Sequence, residues 1–83
     1  MSAVQLYKIN PAENMARFYR LDVQPALFGW SAVYEWGRIG AAGTVKLDLF
    51  STEAEAQSAV ERKRREKERR GYVASRHHNF VTS

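Results

Sequence analysis

An α+β fold is what this 83-residue sequence predicts: a mostly antiparallel sheet of four or five strands with one long helix packed on one face. Three observations carry the prediction. Short runs of β-formers alternate with a period of two up to Phe50, a glycine-bounded "GAAG" joins two of them, and a single capped helical stretch follows. Single cores usually need roughly 50 to 200 residues, so residues 1 to 83 are read as one thin, two-layer domain without a deep catalytic cleft.

The elements follow in order. "VQLYKIN" (4–10) is strand-like and stops at the turn pair Asn10-Pro11. "ARFYRLDV" (16–23) puts Tyr19, Leu21 and Val23 on one face and Arg20 and Asp22 on the other. "PALFG" (25–29) is expected to end it, because proline cannot continue a central strand. "WSAVYEWGRI" (30–39) and "TVKLDLF" (44–50) form a hairpin across "GAAG". In the latter, alternation predicts Val45, Leu47 and Leu49 inward, and Thr44, Lys46 and Asp48 outward. A helix starts at "STEAEA", where Thr52 and Glu55 have capping-box spacing, and Gly71 is placed to end it. Its stripe Ala56, Ala59, Val60, Lys63, Lys67 is small enough to lie close on a sheet, with the lysine stems covering apolar surface. "YVASRHHNFV" (72–81) reads as a last extended segment.

Composition narrows the function. With 45% apolar residues and no cysteine, the chain is a folded domain without disulfides, thiolate chemistry or a zinc knuckle. "MSAVQLYKIN" holds no long apolar run, so neither a signal peptide nor a membrane span is expected and the cytoplasm is the expected location. The segment "RKRREKERR" (62–70) carries seven bases and two acids, a net of +5 against +4 for the chain, which leaves −1 for everything else. Charge runs on helices are commonly solvated faces with local ion pairs. Five arginines among the seven bases suit bidentate contact with phosphate, however, and such a segment attracts polyanions.

The second constellation is "YEWGRIGAAG" (34–43). In a regular strand Tyr34, Trp36 and Arg38 share one face, and Val33, Gly37 and Ile39, with Ser31 and Glu35, share the other. Taking Val33 and Ile39 as core contacts leaves Tyr34, Trp36 and Arg38 facing away from the core. An aromatic beside a guanidinium there would serve stacking on a base or sugar with a phosphate contact. A core tryptophan beside a solvated arginine fits the alternation equally well. Catalytic candidates are weaker. His77 and His78 are adjacent, so a strand would point them to opposite faces and away from one shared metal. Ser31, Ser51 and Thr52 have no histidine or lysine at a telling spacing, and "GAAG" is too short to cradle a phosphate. No enzyme activity, metal or cofactor is expected.

From "RFYRLDVQPALFGWSAVYEWGRIGAAGTVKLDLFSTEAEA" to the basic helix ending "KERRGY", the chain resembles the WGR domain, named for the tripeptide seen here as Trp36-Gly37-Arg38. The resemblance covers roughly residues 15 to 72 and is similar to a stand-alone bacterial WGR protein. It implies an α+β fold and the function of a module best known from poly(ADP-ribose) polymerases, where it binds near a DNA break. By that resemblance Trp36 would pack on a nucleotide, Arg38 would bridge to DNA or to protein, and Gly37 would keep the strand close to its neighbours. Gly40 and Gly43 also match. No catalytic domain or zinc finger fits in the chain, so the signalling role of those polymerases is not carried over. The expectation is therefore a non-enzymatic nucleic-acid-binding module, with DNA, at strand ends or breaks, as the favoured ligand. Trp36, Gly37, Arg38, Tyr34 and Lys46 would form the surface, with Arg62, Arg65 and Arg69 of the helix adding attraction. The competing expectation uses the same Trp36/Arg38 surface as an anchor for a protein partner. The sequence leaves DNA against RNA, and the oligomeric state, open.

Overall fold

The computed structural model describes residues 3–74. The chain runs through β1 (Val4–Asn10), a 3-10 turn (Pro11–Glu13), β2 (Met15–Ala26), β3 (Gly29–Arg38), β4 (Thr44–Phe50), α1 (Glu53–Arg69) and β5 (Val73–Ala74). The strands form one five-stranded antiparallel sheet in the order β4-β3-β2-β1-β5, and α1 covers one of its faces. This is the α+β architecture the alternation predicts.

Turn chemistry sets the connections. Asn14 adopts the left-handed conformation (φ 53°) and its N–H donates to the Pro11 carbonyl at 3.0 Å, closing the turn between β1 and β2. Leu27 and Phe28 form the two-residue tip of the β2–β3 hairpin, with Ala26 opposite Gly29. Proline therefore does not end the strand at residue 24. Among the described residues β1 pairs with β2 as far as Leu21, and from Asp22 onward β3 is the one neighbour of β2. There Pro25 can turn its missing N–H away from the ladder, the position in which sheets tolerate proline.

Both ends of α1 are capped. The Thr52 hydroxyl accepts from the Glu55 N–H at 3.2 Å, and the Glu55 carboxylate accepts from the Thr52 N–H at 3.2 Å. At the far end Gly71 (φ 100°) donates to the Glu68 carbonyl and Tyr72 donates to the Lys67 carbonyl, each at 3.0 Å. That pair of bonds is a Schellman motif, and it turns the chain back so that Tyr72 lies against the sheet.

The register explains which face α1 covers. Across the sheet, Leu6, Tyr19 and Trp36 stand in one row, Val4, Leu21, Tyr34 and Lys46 in the next, and Val23, Ala32 and Asp48 in a third. Leu6, Tyr19, Leu21, Val23, Ala32 and Tyr34 are buried against Ala56, Ala59 and Val60 of α1, while Trp30, Trp36, Phe50 and Tyr72 pack at the margin. The alanines on both surfaces let helix and sheet approach closely.

Two expectations about faces are corrected by this register. Tyr34, Trp36 and Arg38 lie on the helix-covered face, not away from the core. Val45, Leu47 and Leu49 point to the uncovered face, where they are 57%, 58% and 70% exposed, and Lys46 and Asp48 stand on the helix side. Val33 is only partly buried and Ile39 is exposed, so neither is a core residue. Alternation within a strand defines two faces but does not say which one the helix takes. Both faces of this hairpin carry apolar residues. Only the pairing of Tyr19 with Trp36, and of Leu21 with Tyr34, ties the hairpin to the face that is apolar in β2. Of the segment read as extended over 72–81, Val73–Ala74 is β5; the remainder, with His77 and His78, lies outside the described residues.

Candidate functional site

Where the small-residue contact between α1 and the sheet ends, the helix continues for two more turns and its inner stripe changes character. At 3.6 residues per turn, Lys63, Lys67 and Arg70 continue the line of Ala56, Ala59 and Val60. Long side chains replace methyl groups there, and a cleft of about 440 Å³ opens between helix and sheet. Its floor is aromatic: Tyr19 and Tyr34 from the central strands, Trp36 beside them, and Tyr72 brought in by the Schellman turn. Arg17, Lys46, Lys63 and Lys67 surround that floor, with Asp48 as the acid among them. An adjoining depression of about 210 Å³ shares Arg17, Lys67 and Tyr72 and adds Lys8, Met15 and Arg70. The positive surface is thus continuous along the end of the helix.

The rings hold one another in place. Tyr19 and Trp36 stack with centroids 5.6 Å apart and planes 10° apart, and Tyr72 meets Tyr19 edge-on at 6.1 Å. Such pairs contribute roughly 0.5–1.5 kcal/mol each beyond the area they bury. The Lys67 ammonium sits 4.7 Å from the Tyr19 ring centre and 6.0 Å from that of Tyr72, and Lys63 sits 5.9 Å from the Tyr34 ring. Burial is the main reason the Lys67 pKa falls below its ordinary value; the nearby Glu66 charge opposes the fall and Lys63, Arg70 and Lys8 add to it. Burial likewise pushes the Tyr19 hydroxyl up to about 12. Tyr34 is raised too, first by burial and then by the Asp48 carboxylate.

Ion pairing decides which cations remain available. Arg64 bridges Glu61 (2.6 Å) and Glu68 (3.1 Å), Lys63 pairs with Glu66 at 3.3 Å, and Lys46 stands 4.0 Å from Asp48. Among the described residues no carboxylate lies within ion-pair distance of Arg17, Lys67, Arg70 or Lys8. Those four flank the aromatic floor.

The residues singled out in the sequence are only partly brought together. Tyr34, Trp36 and Lys46 line the cleft, Tyr34 as a buried wall and Trp36 as a half-buried stacked ring. Arg38 lies on the same face beyond Trp36, exposed, and donates to the Asn14 carbonyl (3.2 Å) and side-chain oxygen (3.3 Å). It thus fixes the left-handed Asn14 turn while keeping an uncompensated charge. Gly37 is on the opposite face, where a Cβ would come within 3.1 Å of the Gly43 Cα and 3.4 Å of the Phe18 ring. Its place is to let the 39–43 connection fold back under Phe18. Arg62 and Arg65 border a separate depression with Gln57, Ser58 and Glu61, and Arg69 shares their outer side of the helix. Missed by sequence reasoning were Arg17, Tyr19, Tyr72, Lys67, Arg70 and Lys8. The available signal was the inner stripe itself, which turns from alanine to lysine before the helix ends.

Residues 2–79 match the WGR domain family. The chain belongs to that family. It is also similar to an uncharacterized protein, y4dW, of Sinorhizobium fredii, with 36% identity over 66 residues that cover 78% of this chain. Those residues make up 32% of y4dW, so the WGR chain spans about a third of that relative's length. No solved structure matches the chain. Among the described residues, no group of histidine, cysteine, aspartate or glutamate could hold a metal ion, and no helix is long and apolar enough to cross a membrane.

Proposed function

We propose that this WGR domain is a non-enzymatic nucleic-acid-binding module with DNA as its ligand, and that the cleft between the end of α1 and the sheet is the binding surface. The observation that carries the reading is the aromatic floor of Trp36, Tyr19 and Tyr72 flanked by Arg17, Lys67, Arg70 and Lys8, cations with no carboxylate at ion-pair distance among the described residues. A half-buried, pre-stacked indole offers its free edge and remaining face to a base or sugar at little ordering cost. The flanking cations would take the adjacent phosphates, and Arg38, anchored on Asn14, would add a further one. Arg62, Arg65 and Arg69 on the outer stripe supply long-range attraction instead of contact. Membership of a family known for nucleic-acid binding in poly(ADP-ribose) polymerases supports the same reading.

Titration of labelled duplexes with free ends, nicked circles and single strands at low salt tests it. Trp36→Ala is expected to weaken binding roughly 5- to 100-fold, the range that loss of one stacked base contact produces. Lys67→Met, which keeps the stem and removes the charge, should weaken it without loss of fold by circular dichroism. Absence of binding by the wild-type chain, or binding unchanged in both variants, would sink the proposal. Retention of a protein partner from nuclease-treated lysate that depends on Trp36 would favour a protein ligand in its place.

A further inference from the structure

Among the described residues, β4 is an edge strand of seven residues with no proline and a full row of backbone groups on its outer side; the other edge, β5, has two described residues. Long regular edges invite pairing with another chain, and charged side chains commonly guard against it. Here the guarding charges have a particular arrangement. Lys46 and Asp48 flank Leu47 symmetrically on the helix side, and Val45 and Leu49 flank it symmetrically, with Leu47 itself, on the uncovered face. We infer that β4 pairs antiparallel with β4 of a second copy of this chain, centred on Leu47, to give a two-fold dimer with a continuous ten-stranded sheet.

The register follows from the side chains. With Leu47 opposite its own counterpart, Lys46 of each copy faces Asp48 of the other, and Val45 faces Leu49. All these cross-strand pairs are favourable, two electrostatic and three apolar. A two-fold antiparallel pair must shift its register in steps that keep like faces together. Moving the centre to residue 46 puts lysine opposite lysine, and moving it to residue 48 puts aspartate opposite aspartate. The charges that would repel an arbitrary strand therefore select one partner and one register. Pairing also covers the flanks of Val45, Leu47 and Leu49, which the single chain leaves more than half exposed. The occupant is a second copy, not an unrelated strand, because this complementarity is internal to the sequence "VKLDL".

Because the two-fold axis of such a pair stands normal to the sheet, both helices lie on the same side. Strand spacing and rise then place the two Trp36 side chains about 25 Å apart on one surface. The inference stands on the edge strand and does not need the nucleic-acid reading.

The test is sedimentation of the full chain, without nucleic acid, at micromolar and near-millimolar concentration. The wild-type mass should rise from one chain toward two. Lys46→Asp and Asp48→Lys each turn two attractive pairs into repulsive ones and should weaken self-association by about tenfold or more. The double variant should regain it, and an equal mixture of the two single variants should form a mixed dimer. Hydrogen exchange in the wild-type chain supplies a readout that needs no substitution: protection at residues 44–50 should grow with concentration, and that of the other strands should not. A chain that stays monomeric at the highest concentration overturns the inference. So does a dimer indifferent to both single reversals, a mixture that stays apart, or exchange protection that does not change at β4.

Discussion

At the level of single residues, Lys67 and Tyr19 show a conflict between stability and a charged surface. The pKa of Lys67 is lowered by burial, so the folded state favours its neutral form; that contribution is present above the ordinary lysine value and lost as pH falls through the lowered one. At neutral pH the ammonium is therefore held at a cost, partly offset by the rings of Tyr19 and Tyr72. Lys67→Met should melt at a temperature equal to or above that of the wild type at pH 7, while losing the DNA affinity proposed above. Tyr19 works in the opposite direction along the pH axis. Its pKa is raised from 10.0 to about 12, so the stability it contributes is complete below pH 10 and disappears as pH rises to about 12. Melting temperature followed by circular dichroism should fall through that window in the wild type, and fall less steeply in Tyr19→Phe. A parallel decline in both proteins would show that other groups dominate alkaline unfolding.

At the level of elements, the ends of α1 were legible in the sequence and the face it covers was not. Thr52 with Glu55, and Gly71 after a run of bases, are local signals whose partners lie within a few residues, so spacing alone predicted the caps. The orientation of the hairpin depends instead on a long-range pairing, Tyr19 with Trp36, that no local window contains. Alternation in "TVKLDLF" separated its two faces correctly and assigned them the wrong way round, because the edge strand keeps its aliphatic side uncovered. Half of the site was lost with that assignment. Trp36 was found by its motif, whereas Tyr19, Tyr72 and Lys67 are gathered round it by packing. The Schellman turn is the element that gathers Tyr72. Gly71→Ala would force a Cβ into a left-handed position and to 3.3 Å from the Lys8 side chain. A loss of roughly 1–2 kcal/mol in urea unfolding is expected, with the edge-on contact of Tyr72 and Tyr19 disturbed.

On the scale of the whole molecule, charge is divided between two sides of one helix. The excess of bases in 62–70 was plain from composition, but composition could not say that Arg62, Arg65 and Arg69 face outward while Lys63, Lys67 and Arg70 close over the sheet. The division predicts two different salt responses. If Arg17, Lys67, Arg70, Lys8 and Arg38 each displace one counterion from duplex DNA, log affinity should fall against log salt with a slope of about −4 to −5. Replacing Arg62, Arg65 and Arg69 together by glutamine should slow association with little change in that slope, whereas Lys67→Met should reduce it by about one. Filter binding and stopped-flow mixing at several salt concentrations separate these outcomes. The placement of the two indoles has one more consequence. Trp36 closes the cleft at one end of the sheet, and Trp30, paired with Phe50, sits at the other end beside the β2–β3 hairpin tip. The chain thus contains its own optical probe: in Trp30→Phe the remaining emission comes from Trp36 alone, so quenching by an arriving ligand can be followed without any attached dye.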